Sequence, residues 1–226
     1  MKVRTPLARV YKAVHNMFTA RTRLLNELAR TNSELQELNR SLRSAVDEKN
    51  KLLDQLKQQA ADLERQTHED GLTGLFNRKH FDNQFGYEFS RANRYGRSLV
   101  VIMADIDYFK KVNDTYGHQT GDAVLRVIST ILKDTCRTVD FVARYGGEEF
   151  VVLLPETPSN GGIIVGERIR KSAEEYDWST IKPEMKVTLS LGLTSNSGYN
   201  DHWRMLGAAD AKLYDAKHGG RNQLRY

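Results

Sequence analysis

From Leu7 to Asp70 the chain contains neither glycine nor proline, and Leu, Glu, Gln, Arg, Lys and Ala dominate. All are strong helix formers. Within this arm Leu28, Leu35, Leu42, Leu56 and Leu63 fall on one seven-residue row, interrupted by Lys49. A second row holds Tyr11, Phe18, Leu25, Asn32, Asn39, Val46, Leu53 and Ala60. Two such rows kept over many heptads predict a parallel coiled coil, in which the Asn positions lose stability but fix register and strand number. A single straight helix of this length would extend about 90 Å, more than a small domain can bury. Residues 1–67 therefore read as a dimerisation and signalling helix, and residues 68–226 as the folded domain.

In the domain the hydrophobic period changes repeatedly. His68 to Asn77 carries Gly71 and Gly74 and reads as a linker turn, with Asp70-Gly71-Leu72-Thr73 structural. Phe81, Phe85 and Phe89 mark the buried face of a helix running to about Asn93. A first strand follows over about 98–106, then a helix face formed by Val124, Leu125, Val127, Ile128, Ile131 and Leu132. Phe141-Val142-Ala143 and Phe150 to Leu154 flank Gly146-Gly147 as the arms of a hairpin. Ile163, Ile164, Val165 and Ile169 belong to another helix, and Val187, Leu189, Leu191 and Leu193 alternate as a strand. Met205, Leu206, Ala209, Leu213 and Tyr214 lie on a last helix before a short terminal strand. This interleaving predicts an α/β fold, a mixed central sheet covered by helices.

The hairpin carries the candidate chemistry. If Gly146 and Gly147 form its two-residue turn, both take φ > 0, which glycine tolerates. Glu148 and Glu149 follow at once, and the apolar run Ser98 to Ala104 ends in Asp105-Ile106-Asp107. A lone Gly-Gly-Glu-Glu suits a solvated tip, but a strand end beside the hairpin brings a third carboxylate and makes an oxygen-rich site for Mg2+ with phosphates. Consecutive strand residues face opposite ways, so Glu148 and Glu149 cannot both point at Asp105 if extended. Asp107 is either a ligand or the cap of a short helix starting at Tyr108-Phe109-Lys110, whose first N–H groups can hold phosphate.

Charge narrows the function classes. The 226 residues hold 34 Lys and Arg against 29 Asp and Glu, a net +5. Residues 1–67 hold 13 against 8, so the excess lies in the arm, and residues 68–226 balance at 21 against 21. Nucleic-acid binding would need a basic face on a folded module, so none is expected. The lone Cys136 excludes an internal disulfide framework and fits a reducing compartment. No stretch is apolar enough to span a bilayer and no signal segment opens at Met1, so a cytoplasmic location is expected.

Taken together, Asp70-Gly71-Leu72-Thr73, Asn77-Arg78, Asp105-Ile106-Asp107-Tyr108-Phe109-Lys110, Asn113 to His118, Gly121-Asp122, Gly146-Gly147-Glu148-Glu149-Phe150, Lys217 and Gly220-Arg221-Asn222 resemble the GGDEF-domain diguanylate cyclases, in the Gly-Gly-Glu-Glu-Phe variant. The resemblance implies a five-stranded sheet related to the polymerase palm and to nucleotide cyclases. It implies condensation of two GTP into cyclic di-GMP and two pyrophosphates by a homodimer, with two Mg2+ (or Mn2+) per active site. It assigns metal to Asp105, the Ile106 carbonyl and Glu148, and help in deprotonating the 3′-hydroxyl to Glu149. It assigns triphosphate to Tyr108, Phe109, Lys110, Lys217 and Arg221, and guanine to Asn113 and Asp122. Arg137-Thr138-Val139-Asp140, with five residues between it and Gly146, matches the family's inhibitory product site, in which Arg137 and Asp140 would bind cyclic di-GMP. An upstream sensor domain is a further expectation. The competing reading is a nucleotide sensor without turnover, and the intact carboxylates of the turn argue against it.

Overall fold

The structure, a computed structural model, describes the backbone from Pro6 to Tyr226 and the side chains of residues 10–60 and 68–226. The chain divides into two compact units at Asp62/Leu63. The first is the body of α1 (Pro6–His68), 63 residues without a break. Along its described part the apolar rows face solvent: Leu28, Leu35, Leu42 and Leu56 are all exposed, as are Leu25, Val46 and Leu53. Leu63, the last member of the first row, lies outside the described side chains.

The second unit is built on a six-stranded sheet, β1 (Phe76–Asn77), β2 (Leu99–Ile106), β3 (Phe141–Gly146), β4 (Glu149–Pro155), β5 (Leu189–Ser195) and β6 (Leu224–Arg225). The strand order is β1-β3-β4-β2-β5-β6. β2 runs antiparallel to both β4 and β5, whereas the outer pairs β1·β3 and β5·β6 are parallel. The sheet is mixed as expected, with six strands rather than five. The additional one, β1, spans two residues inside the stretch read as a linker turn, too short to leave a period in the sequence.

Helices α2 (Arg78–Tyr95), α3 (Phe109–Tyr116), α4 (His118–Thr135), α5 (Ser159–Glu175) and α6 (His202–His218) cover both faces. All eight residues of β2 are buried, and strand alternation sends them to two separate cores. Val100, Ile102, Ala104 and Ile106 join Val124, Leu125, Ile128 and Leu132 of α4 and Ile169 of α5. Leu99, Val101 and Met103 join Phe81, Phe85 and Phe89 of α2 and Met205, Leu206, Ala209 and Leu213 of α6. Burying a large apolar side chain in such a core contributes about 1.5–3 kcal/mol. Asp105 continues the odd-numbered face, so the sheet directs its carboxylate towards α6.

Gly192 of β5 brings α6 in close. A Cβ there would stand 2.1 Å from the Ala209 carbonyl oxygen and 2.2 Å from the Leu213 nitrogen. The backbone of α6 therefore lies directly on the sheet, and its last turn, with Lys217, comes over the end of β2.

Candidate active site

The hairpin departs from its expected form. Its two loop residues are Gly147 and Glu148, and Gly146 pairs with Glu149 after a register shift at Tyr145. Neither Gly146 nor Gly147 takes a positive φ. The bulge supplies the extra twist that a primed turn would otherwise provide. A side chain on Gly146 would meet Glu149 Oε2 at 3.2 Å, while Gly147 faces open space.

This geometry also places the two carboxylates. Glu149 is the cross-strand partner of Asp105. Glu148 lies in the turn, where strand alternation does not apply, and its carbonyl accepts from the Ile106 N–H at 3.4 Å. The expectation for an extended pair does not apply, because only Glu149 is in the strand; the charges of both glutamates reach Asp105. Asp105 is 5% exposed. Burial pushes its carboxyl up to about 6; the Lys217 ammonium, 2.7 Å away, opposes this, and Glu148 and Glu149 add to the rise. Lys217, expected beside phosphate, here neutralises the acidic cluster.

A brace holds the hairpin. Arg144 Nε and Nη2 donate to the Gly147 carbonyl at 3.0 and 2.8 Å, and Nη1 reaches Asp70 Oδ1 and Oδ2 at 3.2 and 3.3 Å. Asp70 also accepts from the N–H and hydroxyl of Thr73. Burial raises the Asp70 carboxyl, but the Thr73 and Arg144 hydrogen bonds prevail and hold it below the usual range. Asp70 to Thr73 is indeed a turn, and it also anchors the hairpin. The sequence offered no signal for this long-range pair.

Beyond β2 the chain turns sharply. Tyr108 sits in the left-handed region at φ 56° and precedes α3 with no side-chain cap, which leaves the first N–H groups, at Phe109 and Lys110, without a side-chain partner at the cap. Lys110 is exposed. Arg221 folds back from the chain's end with its guanidinium 4.2 Å from the Tyr108 ring centre and Nη1 donating to the Tyr108 hydroxyl at 3.1 Å. Asp107 does not cap α3. Its buried carboxylate accepts from Thr188, Ser190 and the Asn222 N–H.

Asn113 on α3 and Asp122 on α4 are both half-buried. Gly121 lets the helices meet there: a Cβ would lie 1.9 Å from Asn113 Oδ1. Just before β3 the Arg137 N–H donates to Asp140 Oδ2 at 2.7 Å and the Asp140 N–H to the Arg137 carbonyl at 3.0 Å. The link is thus through backbone, and no ion pair joins the two side chains among the described residues. They line a cavity of about 320 Å³ with Glu69, Lys133 and Thr138. Burial raises the Asp140 carboxyl above its usual range, against the Arg137 contacts and the charge of Arg168. Arg168 of α5, not singled out in the sequence, donates nearby to the Thr135 carbonyl.

An acidic strand end, an uncapped helix start and the basic side chains of Lys217 and Arg221 thus come together at the end of β2 in a mixed, palm-like α/β domain. The family profile described as "Diguanylate cyclase, GGDEF domain" matches residues 67–223, and the chain belongs to that family. "Diguanylate cyclase DosC" of Escherichia coli K12 is 40% identical over 156 residues, covering 69% of this chain and 34% of that protein. The chain thus spans about a third of that curated relative. Among solved structures, the coiled coil and GGDEF domain of DgcB from Caulobacter crescentus, in complex with c-di-GMP, superposes with a TM-score of 0.74 at 31% identity. It covers 82% of this chain and 98% of that one. The diguanylate cyclase SiaD of Pseudomonas aeruginosa, in complex with its activator SiaC, gives 0.67 at 30% identity and covers 98% of this chain and 91% of that one.

Proposed function

We propose that the protein is a diguanylate cyclase that condenses two GTP into cyclic di-GMP and two pyrophosphates. The observation that carries this reading is the facing pair Asp105 and Glu149, with Glu148 in the adjoining turn, beside an uncapped helix start. Hard divalent cations take oxygen donors and often need only one or two carboxylates, completing their shell with water and phosphate. Asp105, Glu148 and the Ile106 carbonyl fit Mg2+ or Mn2+ in that role. Among the described residues no three His, Cys, Asp or Glu side chains converge as a ready metal cage. When bound, the cations would neutralise the triphosphate and lower the pKa of the attacking hydroxyl.

The chain's own residues align the reactants. The N–H groups of Phe109 and Lys110, with Tyr108 at the turn, hold triphosphate oxygens at the α3 start. Arg221, and Lys217 once a cation takes over its partner Asp105, add positive charge there. Asp122 accepts from N1 and N2 of guanine, and Asn113 donates to O6. Glu149, the cross-strand partner of Asp105, would draw the proton from a 3′-hydroxyl. In each of two steps a 3′-oxygen bonds to the α-phosphorus of the other GTP, the bond from that phosphorus to the bridging oxygen breaks, and pyrophosphate leaves.

Each domain contributes one GTP, so the reaction needs a homodimer. The exposed apolar rows of α1 support a coiled coil between copies, which an upstream sensor would control. Product at Arg137 and Asp140 would inhibit, and their cavity supports that assignment. Among the described residues no helix is long and apolar enough to cross a membrane, and we assign the activity to the cytoplasm. Incubation with GTP and Mg2+ tests the reading. It expects one cyclic di-GMP per two pyrophosphates, whereas GTP bound without product would favour a sensor.

A further inference from the structure

Asp107 is buried, 5% exposed, two residues beyond Asp105. No ion pair involves it among the described residues, and its carboxylate is filled by donors. Oδ1 accepts from the Ser190 hydroxyl at 2.6 Å; Oδ2 accepts from the Thr188 hydroxyl at 2.7 Å and the Asn222 N–H at 3.0 Å. Its own N–H donates to the Thr188 carbonyl at 3.0 Å. A carboxylate engaged this way has little left to offer a metal, unlike Asp105, whose contact is the single ammonium of Lys217.

The donor from Asn222 is the informative one. Arg221 and Asn222 are both non-glycine residues in the left-handed region, at φ 63° and 44°. Such backbone persists only where its surroundings over-determine it. Here the turn sends the Asn222 N–H inward to Asp107 while the Arg221 guanidinium swings over Tyr108, the residue next to Asp107. Residues 107 and 108 are thus tied twice to residues 221 and 222. The Asn222 side chain is held too, accepting from Arg170 at 2.9 Å and donating to Glu174 at 2.7 Å.

We infer that Asp107 is a positioning residue, a latch that fixes the chain's last turn so that Arg221 faces the phosphate-binding start of α3. The inference rests on the proposed use of that site for a nucleoside triphosphate. A carboxylate suits it: an amide at 107 could keep its oxygen on the Asn222 N–H and Thr188 hydroxyl and turn its NH2 to the Ser190 hydroxyl, but it would lose the charge that strengthens all three bonds.

The test measures GTP KM and kcat, the Mg2+ dependence, thermal unfolding and GTP binding for Asp107→Asn, Arg221→Ala and the double variant. Asp107→Asn should raise the KM for GTP about tenfold, the scale of a lost charge-assisted hydrogen bond. Its kcat and half-saturating Mg2+ should stay near wild type. Arg221→Ala should raise KM similarly, and the double variant should be no worse than the worse single one. Thr188→Val keeps the shape and removes one donor; it should move KM in the same direction by less, and it serves if Asp107→Asn fails to fold. An unchanged KM with lowered thermal stability would overturn the latch in favour of a plain buttress. Multiplying effects of Asp107→Asn and Arg221→Ala would also overturn it, as would lost kcat with altered Mg2+ dependence, the mark of a metal ligand. If the wild type binds GTP without turnover, the cyclase reading fails while the same cycle on binding still decides the latch.

Discussion

Gly121 shows how one missing side chain makes room for another. Asn113 Oδ1 occupies the space that a Cβ at position 121 would take, at 1.9 Å, with the Phe109 ring 3.2 Å away. The clash falls on the tip of a flexible side chain, so Gly121→Ala should fold and unfold near the wild-type temperature. The displaced amide would lose the hydrogen bond to guanine proposed for it, and GTP KM should rise about tenfold. Steady-state kinetics beside a thermal melt would separate these effects, and an unchanged KM would remove Asn113 from base recognition. Single residues were unevenly legible in the sequence. Asp105 stood out because it ends an apolar run, and the turn glutamates because they follow two glycines. Asp107 left cap and ligand open, since its true partners, Thr188, Ser190 and Asn222, lie about 80 to 115 positions away.

At the scale of elements, periodic segments were readable and short or irregular ones were not. The α2 phenylalanines and the β2 run fixed two elements to within a few residues, because burial on a helix face or in a central strand leaves a period. β1, two residues long, leaves none. The hairpin was anticipated, but its loop lies one residue later, because a bulge and the Arg144 brace set its register. The junction after α1 carries a histidine pair from which a pH dependence follows. His68 and His80 rings lie 4.3 Å apart, and Phe76 lies 4.5 Å from His80. Burial, then the neighbouring His68, lowers the His80 pKa below its usual 6.5. The unfolded chain therefore takes up a proton that the folded one resists, so this contribution to stability is present above about pH 6.5 and shrinks as pH falls below it. Thermal unfolding at about pH 7.5 and about pH 5.5 should show a larger acid-induced drop for wild type than for His80→Gln. Equal drops would exclude His80 as the source.

For the whole molecule, a long helix followed by an α/β domain was legible in the sequence and is what the fold shows. Strand order was not legible, because pairing between distant strands depends on packing that no local period records. The Arg137–Asp140 corner illustrates the gap. Sequence spacing suggested the pair, but only the fold shows a backbone-linked turn lining a cavity, away from the acidic cluster. Arg137→Ala should therefore leave the initial rate close to wild type while progress curves run to higher product before slowing. Curves that stall at the wild-type product level would reduce the pair to surface structure.

The central claim is that the carboxylates at the end of β2 and in the hairpin form a phosphoryl-transfer site. Glu148 lies in a turn, outside both cores, so Glu148→Gln should leave the fold intact while removing a metal ligand, and the loss of such charge stabilisation should cost several kcal/mol. The most direct measurement is the initial rate of cyclic di-GMP formation by Glu148→Gln and wild type, at saturating GTP and Mg2+, with thermal unfolding followed on the same samples. The account predicts an unchanged melt and a rate below about a tenth of wild type; a variant that folds normally and exceeds that rate would contradict it.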